Sequence, residues 1–145
     1  MTKTRFIGIL MGALLGSPII QPPALAAEKA EALVAIPATA PAIWHAIDQQ
    51  TAALGQAIQT GAFGEVHHRA YAIRDLVAAL PARSGALAPD KLAQVKANVP
   101  FVATLAQRLD ATGDARDRPG TESNFRKLQQ VLTAIRANYP ETLRK

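Results

Sequence analysis

The sequence contains no cysteine, and this absence excludes several kinds of chemistry. Disulfide bonds, thiolate metal sites, cysteine nucleophiles and thioether attachment of haem all require the side chain that is missing. Any cofactor or metal would have to be held by nitrogen and oxygen ligands, and the fold has to be stable without covalent cross-links. A chain of this length can bury enough surface for that.

Familiar catalytic motifs and strand patterns are also missing. The sequence has no glycine-rich phosphate loop, no paired-carboxylate signature and no serine, histidine and acid set in a familiar context. Alternation of apolar and polar residues with a period of two, which is typical of β-strands, is nearly absent. The sequence therefore predicts an all-α protein that is not an enzyme.

The first 26 residues have the order of a cleavable export signal. Lys3 and Arg5 give a positive start, and an apolar stretch over residues 6–20 follows. Glycines and a proline interrupt this stretch, which is shorter than the roughly 20 apolar residues of a membrane-crossing helix. An Ala-Leu-Ala run ends at Ala26, so we expect signal peptidase to cleave between Ala26 and Ala27. The alternative is an uncleaved membrane tether.

The mature chain is expected in the periplasm, without stable membrane insertion, because no cysteine follows the apolar stretch to accept a lipid. Cleavage removes two of the 16 basic side chains and none of the 11 acidic ones, so the formal net charge falls from +5 to +3. The remaining basic residues are scattered and are not interleaved with aromatic residues. We therefore expect no nucleic acid as a partner.

Four apolar stripes with the period of a helix predict the fold. Residues 27–40 are rich in alanine and read as a flexible lead-in, residues 41–140 as the folded domain and residues 141–145 as a tail. Within the domain, apolar residues recur every three or four positions: Ile43, Ile47, Leu54 and Ile58, then Val66, Ala70, Ile73, Val77 and Leu80, then Leu92, Val95, Val99, Val102 and Leu109, and finally Phe125, Leu128, Leu132, Ile135 and Tyr139. Four such helices with short connections favour an antiparallel up-down-up-down four-helix bundle.

Prolines and glycines predict where these helices begin and end. The first should begin at Pro41 and end at Gly61. Pro100 lies inside the third pattern, where its missing N–H predicts a kink or a break. The polar composition of residues 110–120 predicts a turn, so that the fourth helix would begin near Thr121.

Two adjacent histidines are the most metal-like feature of the sequence. Imidazole ligates several transition metals, and a chain without thiols depends on it. Adjacent helical residues point about 100° apart, so the two rings cannot easily share an ion without help from carboxylates at the same end of the bundle. One hypothesis is therefore a divalent transition-metal site built from His67, His68, Asp110, Asp114 and Glu122. The alternative is that these histidines bind nothing.

Haem is a weaker cofactor hypothesis. Met1 and Met11 are the only methionines, and both leave with the export signal. Ligation by two histidines would need His45 opposite His67, but the expected register separates them by about 20 Å. We therefore expect no haem.

The second helix carries an aromatic residue between two arginines on the flank expected to face solvent. These residues are Arg69, Tyr71 and Arg74. Tyrosine and arginine are enriched among the residues that dominate protein–protein binding. This flank is therefore either a contact for a protein partner in the periplasm or a solvated helix face. Trp44, the one tryptophan, is expected at the edge of the core.

Three segments carry a resemblance to known proteins: VHHRAYAIRDL at 66–76, RLDATGDA at 108–115 and ANYP at 137–140. Together they resemble small exported helical proteins of proteobacteria that are often found beside heavy-metal efflux systems. The similarity would cover residues 41–140. It implies a periplasmic role in metal resistance and assigns no ligand or activity to particular residues.

Overall fold

The computed structural model describes residues 34–143, and the predicted export signal with its cleavage site lies outside them. The described part contains four α-helices: α1 is Ala40–Thr60, α2 is Val66–Ala79, α3 is Pro89–Asp114 and α4 is Arg118–Arg136. Short 3₁₀ turns at Phe63–Glu65, Pro81–Arg83 and Glu141–Leu143 connect or follow them. Residues 34–143 contain no strand, so the all-α prediction is confirmed.

The ends of α1 follow local chemistry that the sequence displays. Thr39 has an extended backbone, and its hydroxyl accepts a hydrogen bond from the Ala42 N–H at 3.4 Å. Pro41 occupies the first turn, where a missing N–H costs nothing. Gly61 ends the helix with φ of 77°, a left-handed conformation that glycine adopts without strain. The predicted end at Gly61 is confirmed, and the helix begins at Ala40, one residue before the predicted start.

The turn between α3 and α4 is shorter than the sequence predicts. Helix α3 continues to Asp114, and α4 begins at Arg118 rather than near Thr121. The cap is Asp117, whose carboxylate accepts a hydrogen bond from the Gly120 N–H at 3.0 Å. Thr121 is fully buried inside the helix, so the prediction that it begins α4 was wrong. An aspartate followed by Arg-Pro supplies a cap and a residue suited to the first turn, and this outweighs the polar composition.

The prediction that the third helix breaks at Pro100 was also wrong. Helix α3 runs through Pro100 without interruption. Pro100 and Lys96 are both exposed, so the carbonyl that loses its backbone donor lies on the solvent side of the helix. The Pro100 carbonyl itself accepts a hydrogen bond from the Thr104 hydroxyl at 3.0 Å.

The four stripes meet in one core. Almost every residue that the periodicity places inside is buried, and Leu92, Val99 and Phe125 are half-buried at its margin. Trp44 is 1 % exposed and belongs to this core, on the side where the Arg136 guanidinium covers its ring at 4.4 Å. Its ring meets the Tyr139 ring edge-on at 5.5 Å between centroids. Tyr139 also shares a hydrogen bond of 2.7 Å with the buried Ser84 hydroxyl, while burial raises the pKa of Tyr139.

Helix pairs adjacent in sequence make the main contacts, and the pair α1 and α4 packs far less extensively. At one end, the Arg118 guanidinium donates to the Ile58 carbonyl at 2.6 Å. At the other end, Arg136 forms an ion pair with Asp48. These two contacts bridge α1 and α4, which otherwise pack loosely.

Helices α2 and α3 approach closely where the predicted site residues lie. Gly113 is buried in the last turn of α3, and a Cβ there would lie 3.0 Å from the Cβ of Val66 in the first turn of α2. The missing side chain therefore lets the two helix ends come together. His67 and Asp110 are carried by these same turns.

Candidate functional site

The structure brings together two of the five residues predicted to bind metal. His67 Nδ1 donates to Asp110 Oδ1 at 2.8 Å, across the contact between α2 and α3. The side chains are partly accessible, at 45 % exposure for His67 and 24 % for Asp110. A hydrogen bond from Nδ1 to a carboxylate fixes the ring and its tautomer, and leaves Nε2 as the free lone pair.

His68 lies next to this pair without joining its hydrogen bonds. Its ring is exposed and meets the His67 ring edge-on, with 5.2 Å between centroids. The rings of these two adjacent residues are therefore in contact, although their side chains leave the helix about 100° apart. His45 is separate, since its Nε2 bonds the Gln49 side chain at 3.1 Å on exposed α1 surface.

The two remaining carboxylates do not complete a ligand set with these histidines. Asp114 is exposed and near enough to contribute to the raised pKa of Tyr71. Glu122 lies on α4 and forms an ion pair of 3.8 Å with Arg118. Within residues 34–143, no three histidine, aspartate or glutamate side chains are grouped so that they could hold an ion.

The residues predicted to contact a partner form an ordered surface on α2. The Tyr71 hydroxyl donates to Asp110 Oδ2 at 3.3 Å, and the Arg74 guanidinium lies 4.4 Å above the Tyr71 ring. The His67 ring packs against the other side of the tyrosine, at 4.8 Å between centroids. We call His67, Tyr71, Arg74 and Asp110 the Tyr71 cluster. Arg74 is also paired with Asp75 at 2.7 Å.

Electrostatics within the cluster favour the neutral tyrosine. Burial is the main cause that raises the pKa of Tyr71, followed by the negative charge of Asp110, while Arg74 opposes the shift. The Tyr71 hydroxyl therefore acts as a hydrogen-bond donor to Asp110 and not as a base. Arg69 lies beside the cluster and donates to Gln50 on α1 at 3.2 Å and to Glu65 at 3.4 Å.

A second surface, between α1 and α4, is not among the predicted sites. A cavity of about 360 Å³ opens there, and its floor includes Trp44, Ile47 and Leu132. It continues along the seam past Thr51 to Gln59 and Phe125. We call this surface the α1–α4 groove. The sequence does carry a signal for it, because a polar threonine follows Ile47 by four residues, where the α1 stripe would place an apolar side chain.

The floor of the groove depends on close packing of an aromatic ring against α1. A Cβ at Gly55 would lie 3.2 Å from Phe125 Cζ, so the absence of a side chain gives the ring its place. Phe125 is half-buried as a result. The fourth stripe therefore begins with a ring that borders the groove.

Comparisons with protein-family models, curated proteins and solved structures give no match to this chain. Among residues 34–143, none of the helices combines the length and hydropathy that crossing a bilayer requires.

Proposed function

We propose that this protein is a non-catalytic binding or accessory module that acts in the periplasm after removal of its signal, in metal resistance. In this proposal the helices form an up-down-up-down antiparallel bundle. Contacts between opposite helix ends support that order, since the start of α2 meets the end of α3 through His67 and Asp110. The start of α4 likewise meets the end of α1 through Arg118.

The Tyr71 cluster is the surface proposed to contact a protein partner. The observation that carries this proposal is the support of a partly exposed tyrosine on two sides, by Arg74 above the ring and by Asp110 at the hydroxyl. Aromatic and arginine side chains of this kind dominate the free energy of many interfaces. Because the side chains are already ordered, little rotamer entropy is lost when a partner binds.

Photo-cross-linking from α2 tests this surface. A photoreactive amino acid at the exposed position of Ala78, one turn beyond Arg74, should give a discrete adduct in the periplasm of cells that express the full chain. Arg74→Ala and Tyr71→Ala should each weaken binding of the cross-linked protein by at least about tenfold, in the range of interface hot spots. Affinity is measured with the purified mature protein once the adduct has been identified by mass spectrometry.

Arg126→Ala is the matched control, because it removes one exposed arginine from α4. It should leave the adduct and the affinity unchanged. An adduct of equal yield in the Arg74→Ala and Tyr71→Ala variants, with both variants folded by circular dichroism, would contradict the proposed face.

Metal binding at the His67 end is the second candidate, and one observation favours it. Histidines that ligate metals usually donate their other ring N–H to a carboxylate, and His67 does this to Asp110. His68 is the nearest second imidazole. With two imidazoles and water as ligands, affinity would be low compared with a site of three or four protein ligands.

Zinc titration of the mature protein, followed by NMR of the histidine side chains, tests this candidate. Saturable chemical-shift changes are expected for the His67 and His68 rings. No change is expected for the His45 ring, which is hydrogen-bonded to the Gln49 side chain. His67→Gln should abolish them. Shifts that grow equally at all three histidines, or no saturable shift with zinc, copper or nickel, would reject a specific site.

A further inference from the structure

Helix α3 presents an apolar side chain that the core does not use. Within residues 34–143, Phe101 is the large hydrophobic residue that stays mostly exposed, at 60 %. Ala97, one turn earlier on the same side of the helix, is exposed as well. One exposed apolar residue is common on a protein surface, and it indicates an interface only where its neighbours form a matching face.

The neighbours of Phe101 form a second helical stripe, on the solvent side of α3. Exposed residues recur along the helix at alternating steps of four and three positions, the spacing of the a and d positions of a coiled coil: Asp90, Gln94, Ala97, Phe101, Thr104, Arg108 and Ala111. We call these residues the outer face of α3. The core stripe of the same helix contains Val95, Val102 and Leu109, which are all buried, so the two stripes are distinct.

The outer face of α3 carries opposite charges toward its two ends. Asp90 lies in the first turn, and Arg108 follows 18 positions later, which corresponds to roughly 27 Å at the helical rise. Within residues 34–143, neither side chain forms an ion pair. The distance prevents them from pairing with each other, but a second α3 helix of opposite direction would bring each charge to its complement.

The outer face is complementary to itself when two copies of α3 run antiparallel. The register that sets the opposite charges side by side also sets an amide opposite a hydroxyl and the aromatic ring opposite a methyl group: Asp90 with Arg108, Gln94 with Thr104, and Phe101 with Ala97. Each of these pairs joins an a position to a d position, so both helices keep their heptad seams in contact. Two-fold symmetry makes every pair occur twice, as in other isologous interfaces.

We infer that the protein forms a weak homodimer through the outer face of α3, with Asp90 of each copy paired to Arg108 of the other and Phe101 packed on Ala97 of the other. A single helix pair with one large apolar residue per copy lies at the low end of interface sizes, so the dissociation constant should be about 10 μM to 1 mM. Asp110, which belongs to the Tyr71 cluster, lies about 160° around α3 from Asp90. The dimer therefore leaves that cluster free, and either surface can fail its test without affecting the other.

Sedimentation equilibrium of the full mature protein, at concentrations from about 10 μM to 1 mM, tests the dimer. The weight-average mass should rise toward that of two chains. Phe101→Ala should raise the dissociation constant by at least about tenfold, because it removes the main apolar contact twice. Lys96→Glu is the matched control, since Lys96 is exposed on the same helix but lies outside the outer face. It should leave self-association unchanged.

Charge reversal tests the antiparallel register. Asp90→Arg and Arg108→Asp should each weaken self-association by about tenfold, because each turns two attractive pairs into two repulsive ones. An equimolar mixture of the two variants should associate as tightly as the natural protein, since both pairs are attractive again in the mixed dimer.

Three results would each overturn the inference, provided that circular dichroism shows the variants folded. The first is a mass that stays at that of one chain over the whole concentration range. The second is a Phe101→Ala variant that associates as tightly as the natural protein. The third is a mixture of Asp90→Arg and Arg108→Asp that associates no more tightly than either variant alone.

Discussion

Replacement of Trp44 by alanine should lower the free energy of unfolding by about 3–5 kcal/mol, the usual cost of deleting a buried tryptophan. The indole is 1 % exposed and packs edge-on against Tyr139, near the end of the chain. It also supports Arg136 across the α1–α4 seam. Since the total stability of a domain is about 5–15 kcal/mol, this one substitution should remove a large part of it.

Urea unfolding followed by far-ultraviolet circular dichroism measures the effect without relying on tryptophan fluorescence. Phe101→Ala is the control, because Phe101 is 60 % exposed and its loss should change the free energy by less than about 0.5 kcal/mol. Similar losses for the two variants would show that Trp44 is not in the core.

The core could be predicted from the sequence because helical periodicity reports burial directly. Ile43, Ile47, Leu54 and Ile58 recur at the spacing of one helix face, and all four are buried. Helix caps also depend only on residues nearby in the sequence. Thr39 and Gly61 accordingly cap α1 where the sequence places them. Such features depend on neighbours in the sequence, and no knowledge of the packing is needed to read them.

Boundaries that depend on competing signals could not be predicted in the same way. The polar stretch before α4 contains several residues able to cap a helix, and the structure uses Asp117 in preference to Thr121. Pro100 remains within α3 because it lies on the exposed side, and exposure of that position follows from the packing of α3 against its neighbours. Composition alone does not distinguish these cases.

The same distinction between local signals and packing applies to the candidate sites. The sequence placed His67 and Asp110 near each other, and the structure joins them by a hydrogen bond between α2 and α3. Glu122 does not join them and instead pairs with Arg118 on its own helix. Thr51 interrupts the α1 stripe where the α1–α4 groove lies, but periodicity does not report how loosely two helices distant in sequence pack.

Thr51→Val gives the second large expected effect, and in the opposite direction. Valine has nearly the shape of threonine and similar helix propensity, but brings no hydroxyl that needs a partner. Removing an unsatisfied buried hydroxyl should therefore raise the free energy of unfolding, by about 1 kcal/mol, the lower end of the cost of such a group. Thr133→Val, at an exposed position with a bonded hydroxyl, should have little effect.

The stability of Thr51→Val in urea is also the most direct test of whether the packing of α1 against α4 leaves the Thr51 hydroxyl without a hydrogen-bond partner. A gain relative to the natural protein is the expected result, because the Thr51 hydroxyl has no hydrogen-bond partner within the fold. A loss of about 1 kcal/mol would mean that the hydroxyl is already bonded within the fold, as a satisfied helical threonine is. In that case the loose packing of α1 against α4 would leave the Thr51 hydroxyl satisfied, contrary to the structure described above.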